Sequence, residues 1–192
     1  MEDIRLTRAE FHKMRDEGKF PFNQVPILIL DNGAVIAQSG AILRYIGTLA
    51  GLYPRDNLEL SAVIDSLFDQ HQDMMMGVNG SRFPDRIGFG CVTADQIPFV
   101  RKSLQEEILP QHFQFFENFL AKSTTGWLAS TPDPTIADFA FVARLELFLT
   151  PSNQLEGITP EVLTHFPLCR GLVQKLHDLP QVKEYYASKQ KK

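Results

Sequence analysis

The pair Asn32-Gly33, set between the apolar runs 27–30 (ILIL) and 34–37 (AVIA), constrains this chain more than any other feature. Asn-Gly between two short apolar runs is the strongest short-range hairpin signal, because both central residues of a type I′ turn need φ > 0. Residues 34–37 are therefore expected to return antiparallel to 27–30. Ser39 follows at once and is expected to cap a helix from Gly40 to about residue 50, its hydroxyl accepting from first-turn amides. Gly51 suits the C′ position after that helix. Upstream, residues 3–7 alternate Ile4 and Leu6 against Asp3 and Arg5 and read as a short strand. Residues 8–16 read as a short helix or turn ended by Gly18, and Pro21 and Pro26 punctuate the approach to the hairpin.

The pattern changes after the polar link at 51–58 (GLYPRDNL). Leu60, Val63, Ile64, Leu67, His71, Met74, Met75 and Val78 recur at helical spacing, which predicts an amphipathic helix. Residues 79–98 read as a loop or a broken helix. Residues 99–122 read as helix again, with Pro110 expected to kink the run. Trp127 and Leu128 fall in a turn-rich stretch. Thr135 and Asp138 then have capping-box spacing, with Asp for the usual Glu, ahead of a segment apolar nearly all round. Such a segment belongs at the centre of a bundle. Asp138 is read as a structural cap. Residues 160–187 predict two more helices, with breaks near Pro167 and Pro180.

The 192 residues suffice for one large domain or two small ones. With 44% hydrophobic and 22% charged residues the composition is that of a globular protein. No apolar run reaches the ~18 residues that span a bilayer. The start has no apolar signal region. Cys91 and Cys169 are too few for a disulfide framework, so a reducing cytoplasm is expected. Net charge is −4, and the basic cluster Lys189, Lys191 and Lys192 is read as a solubilising end, with no nucleic-acid partner and no membrane expected. The five His residues are scattered without ligand spacing, and no metal is expected.

Three stretches in this order resemble the cytosolic glutathione transferases: PFNQVPIL with AQSGAILRYI after the hairpin, then TIADF, then HFPLCRGLVQKLHDLPQVKEYY. The opening EDIRLT with the later FPF looks most like the sigma class. The resemblance implies an α/β thioredoxin-like domain (residues 1–53, incomplete) followed by an all-α C-terminal bundle (residues 58–192). It also implies a homodimer, with glutathione as substrate and a hydrophobic electrophile as co-substrate.

Roles come with the resemblance. Val25-Pro26 would hold a cis bond that turns backbone groups toward the cysteinyl part of glutathione; the alternative is an ordinary trans proline before an edge strand. Gln38 and Ser39 would hold the γ-glutamyl carboxylate, which fits the free N–H groups and positive dipole end of a helix. Gln24 and Arg15 fall near the glycyl end. Phe11 stands where many relatives have a Trp, and it has no donor. Arg15 and Phe11 read equally as a surface charge and a packing residue. Asp69 would reach the glutamyl amino group of a neighbouring subunit, or is a solvated helix position beside Asp65 and Asp73. Met74 and Met75 fit the core stripe, whereas Met76 is the candidate for the electrophile pocket.

Relatives carry a first strand and helix ahead of the point matching Met1, with the catalytic Tyr near that strand's end. Tyr45, Tyr53, Tyr185 and Tyr186 do not match that position, so no catalytic residue is assigned. Without that strand, ladder groups and apolar faces next to residues 27–30 should be exposed. Three functions follow: a transferase with sigma-type isomerisation as a variant, a non-catalytic relative, and a redox sensor using Cys91 or Cys169, for which neither cysteine has a motif.

Overall fold

The computed structural model describes residues 2–150 and 155–189. The basic end, Lys191 and Lys192 with the Lys189 side chain, lies outside the described residues. The chain divides into two compact units, Met1–Gly51 and Leu52–Lys192. The first is a short thioredoxin-like unit with a two-stranded sheet, and the second is all-helical.

In the first unit, helix α1 (Arg8–Asp16) is opened by a capping box. The Thr7 amide and hydroxyl both donate to Glu10 Oε2 at 2.7 Å, and the Glu10 amide donates to Thr7 Oγ1 at 3.3 Å. Strands β1 (Ile27–Ile29) and β2 (Val35–Ala37) pair antiparallel, Ile27 opposite Ala37 and Ile29 opposite Val35. The turn differs from the expected two-residue type I′. Leu30 N donates to Ala34 O at 2.9 Å and Gly33 N to Leu30 O at 2.8 Å, so the loop has three residues. Gly33 alone in that loop has positive φ, +83°. Asn32 instead uses its side chain, Oδ1 accepting from Ala34 N at 3.0 Å. A type I turn closed by a left-handed glycine gives the three-residue hairpin. Residues 3–7 form no strand, because a strand exists only in a ladder and the ladder among the described residues joins β1 to β2 alone. Ile29 and Val35 stand exposed on the hairpin.

Helix α2 (Ser39–Leu49) corrects a second expectation. Ser39 is the first helical residue rather than the cap, and the cap position belongs to Gln38. Gly51, with φ +73°, does follow the helix as its C′ residue.

In the second unit, α3 (Leu58–Arg82) is longer than expected and runs through Gly80, where the sequence suggested a loop. Asn57 caps it, Oδ1 accepting from Leu60 N at 3.0 Å. Its stripe is buried at Ile64, Leu67, His71, Met74, Met75 and Val78, joined by Phe68, while Val63 is exposed. The stripe is thus rotated slightly from the one the spacing suggested. Past a 3-10 turn, α4 (Ile97–Ser103) passes into a π-helical segment, Leu104–Ile108, and then α5 (Leu109–Lys122). Pro110 has no N–H for the carbonyl one turn back, and the wider winding just before it accommodates that gap. Gly77 lets Leu104 approach α3; a Cβ there would lie 2.6 Å from Leu104 Cδ2.

Helices α6 (Ile136–Leu149), α7 (Pro167–His177) and α8 (Pro180–Lys189) complete the unit. Pro167 and Pro180 stand at the first positions of their helices, where the missing N–H costs nothing. The core lies between α3, α5, α6 and α7. Phe116 stacks on Phe141 at 3.8 Å, and Phe113 meets Phe148 and Phe166 at 5.7 Å each.

His71 is a buried titratable group of this core. Its Nδ1 bonds the Phe68 carbonyl, and its ring sits edge-on to Phe68 at 4.6 Å. Burial depresses its pKa to about 4, with the Arg144 charge acting in the same direction. An unfolded His titrates near 6.5, so between these values the unfolded chain binds the proton more tightly. Stability is therefore full above ~6.5 and is lost as pH falls toward ~4, by up to ~3 kcal/mol. Urea midpoints at pH 7 and 4.5 should show a larger acid-side loss in wild type than in His71→Gln. Equal losses in the two proteins would remove His71 as the source.

Candidate functional site

The ladder register places two sequence motifs together. Ile27 faces Ala37, so Val25-Pro26 and Gln38-Ser39 emerge side by side at the end of the hairpin opposite the Gly33 turn. The Val25-Pro26 peptide bond is cis, the form that the resemblance implies. Gln24, Val25, Pro26, Gln38 and Ser39 are all exposed.

Gln38 joins strand to helix at φ 74°, ψ 120°, a conformation that non-glycine residues rarely adopt. Its carbonyl starts the helix, accepting from Ile42 N at 3.0 Å. No side chain caps α2, and its first turn holds no acidic residue. The N–H groups of Ser39, Gly40 and Ala41 come before that first intrahelical bond and lie at the positive end of the helix dipole. Asn23, φ 54°, is a second positive-φ residue on the approach to the cis bond, in a region that asparagine tolerates.

The remaining candidates of this unit sit on α1. Arg15 Nε and Nη2 both donate to Asp16 Oδ1, at 3.0 and 2.9 Å, so its fork is held by its neighbour. Phe11 stacks on Phe20 at 5.5 Å, and Phe20 is the buried aromatic of the unit. Phe11 thus has the packing partner that its alternative reading called for.

Asp69 and Met76 belong to the second unit, on α3. Both are exposed, whereas Met74 and Met75 are buried in the core. Asp138 has no solvent exposure. Its Oδ2 accepts from the Thr135 amide at 2.8 Å and the Thr135 hydroxyl at 3.0 Å, and its Oδ1 from Leu128 N at 2.8 Å. Burial raises its pKa against those hydrogen bonds, and every acceptor contact is spent on the fold. Cys169 is buried, its Sγ directed at the Phe113 carbonyl, and burial pushes its thiol far up, so it is no reactive thiolate. Cys91 is exposed.

Comparison with known proteins agrees in both units. Residues 7–48 match the family described as glutathione S-transferase, N-terminal domain, and residues 92–189 match glutathione S-transferase, C-terminal domain. The chain is 31% identical to glutathione S-transferase 1 of Ascaris suum over 193 aligned residues, covering 99% of this chain and 84% of that protein. Prostaglandin synthase D of Nilaparvata lugens shares the fold, with a TM-score of 0.78 at 24% identity over 97% of this chain and 83% of that one. Monomeric Na-GST-3 of the hookworm Necator americanus aligns with a TM-score of 0.72 at 27% identity, over 97% and 83% of the two chains. The chain belongs to the glutathione S-transferase family.

Proposed function

We propose that residues 1–51 bind glutathione, with its γ-glutamyl carboxylate at the N-terminus of α2. The observation that carries this reading is the uncapped first turn behind a strained Gln38. A helix start with exposed N–H groups, a serine hydroxyl and no internal anion suits a carboxylate. Backbone strain at Gln38, of order 1–3 kcal/mol, is a cost that ligand binding would explain. In this reading Ser39 and Gln38 contact the glutamyl end, and the Val25-Pro26 backbone pairs with the cysteinyl part. Gln24 lies near the glycyl carboxylate. Arg15 would reach that carboxylate only by leaving Asp16, and Phe11 offers it no donor. Asp69 of a second copy would approach the amino group, in a cytoplasmic homodimer of the sigma-like class. Met76, exposed and soft, would meet the hydrophobic electrophile.

A second reading, a non-catalytic binding protein, has its own observation. The single Tyr of Met1–Gly51 is Tyr45, inside α2, and Tyr53 Oη donates to Asp65 in the helical unit at 2.8 Å. Neither is placed at a strand end to activate a thiol, and Cys169 is buried. We assign the activating hydroxyl to no residue of this chain, and sigma-type isomerisation would need the same group.

Calorimetry tests the binding site. Ser39→Ala should weaken glutathione binding by ~1.5–3 kcal/mol, the worth of a charge-assisted hydrogen bond. Unchanged affinity would remove the site. Gln38→Gly should raise the urea midpoint by relieving the positive φ, yet weaken glutathione binding; a lowered midpoint would mean that Gln38 is unstrained.

Catalysis has a separate test. At pH 6.5 the 192-residue chain should conjugate an aryl halide at near-background rate. The same chain preceded by a strand and helix bearing a Tyr should be faster by ~10²-fold, the scale of one oxyanion-type donor. Full turnover by the 192-residue chain would show that one of its own residues activates the thiol.

A further inference from the structure

We infer that the helical unit holds a second ligand site, a small pocket at the C-terminal ends of α3 and α6 that takes a short-chain monocarboxylate. The pocket has a volume of about 90 Å³. Met75, Phe148 and Ile158 form part of its apolar wall, and Asn79, Arg82 and Arg144 supply its polar groups. All of these residues belong to the unit Leu52–Lys192, and none is a candidate for glutathione.

Arg144 is the residue that points to a ligand. It sits on α6, half-buried, and none of the ion pairs given for the described residues includes it. Burial lowers its pKa. A guanidinium taken out of water without a partner is a cost that folding alone does not explain. Nor does the helix dipole explain it, because α6 has no basic residue in its last turn and Arg144 lies further back. Arg82 is different: it stands in the last turn of α3, where a cation suits the helix end, and its guanidinium lies 5.2 Å from the Phe83 ring centre. His71, which feels the Arg144 charge, is held neutral over the physiological range and supplies no counter-charge.

Size and chemistry then select the ligand. A cavity of about 90 Å³ is smaller than the ~150 Å³ that accepts benzene and has the room of roughly three waters. Planar carboxylates match a guanidinium fork in two parallel hydrogen bonds. The Asn79 amide can donate to the same group, and the apolar wall suits a tail of propionate or butyrate size. A tail of that size matches the apolar wall, and an inorganic anion would leave Met75, Phe148 and Ile158 unused.

The test uses the whole chain and sodium butyrate, against sodium chloride at equal ionic strength and against 1-butanol. In wild type, butyrate should shift the ¹³C-methyl resonance of Met75 saturably and raise Tm with concentration; chloride and butanol should do neither. Arg144→Leu should weaken butyrate binding at least about tenfold and, without ligand, should itself be more stable than wild type. Arg82→Gln, a change at an exposed position, should weaken binding several-fold while leaving the fold untouched, so a misfolded Arg144 variant does not block the test. Butyrate effects matched by butanol would reduce the pocket to an apolar void and overturn the proposal. So would effects matched by chloride, no Met75 shift in wild type, or undiminished binding in both variants.

Discussion

The Asp138 carboxylate, wholly buried, gathers the head of the helical unit. Its two oxygens take the amides of Leu128 and Thr135 and the Thr135 hydroxyl. One residue further on, Ile136 N donates to Leu52 O at 3.1 Å, so the first residue of this unit is tied to the start of α6. The 127–128 turn held by Asp138 carries Trp127 and Leu128 into the core. Lys175 of α7 lies 4.0 Å from the Trp127 ring centre and donates to the Thr125 carbonyl. A single acceptor thus fixes a loop, a helix start and, through Trp127, a neighbouring helix. Leaving its donors unpaired in the interior would cost ~1–3 kcal/mol for each group.

The same device recurs at other helix starts. Glu10 closes the box of α1, and Asn57 caps α3. Glu117 of α5 accepts from Leu168 N at 3.0 Å and Cys169 N at 2.9 Å, serving the first turn of α7. Four helices therefore have their leading amides answered by an oxygen of this chain. Helix α2 starts instead behind a residue at φ 74°, with no side-chain cap and no acid in its first turn. Helices α4 and α5 also begin without a side-chain cap, but their cap residues Gln96 and Ile108 have ordinary negative φ; the positive-φ residue ahead of α2 marks the start where an external carboxylate fits the physics best.

Much of the fold was legible in the sequence where local chemistry decides the outcome. Thr135 and Asp138 announced their capping box by spacing, and Pro167 and Pro180 marked helix starts. The Thr7-x-x-Glu10 box carried the same spacing signal and was available to be read. Failures came where long-range partners decide. Ile4 and Leu6 alternate as in a strand, but alternation does not supply a ladder partner. Asn32-Gly33 did mark a hairpin, yet the turn took three residues because Asn32 used its side chain rather than a left-handed backbone. The candidate site was legible as a motif, Gln38-Ser39 after the hairpin. Its strain was not, because nothing in a glutamine's chemistry signals a positive φ. Arg144 was silent too: within an apolar helix its isolation depends on which carboxylates the other helices fail to bring near.

The central claim is that the α2 N-terminus receives the ligand's carboxylate, and amide NMR reads it directly. Titrating the ¹⁵N-labelled chain with glutathione, and with an analogue bearing a methyl group for the thiol, should move the Ser39, Gly40 and Ala41 amides most and alike for both ligands. Saturable shifts elsewhere with these three amides unmoved would contradict the account.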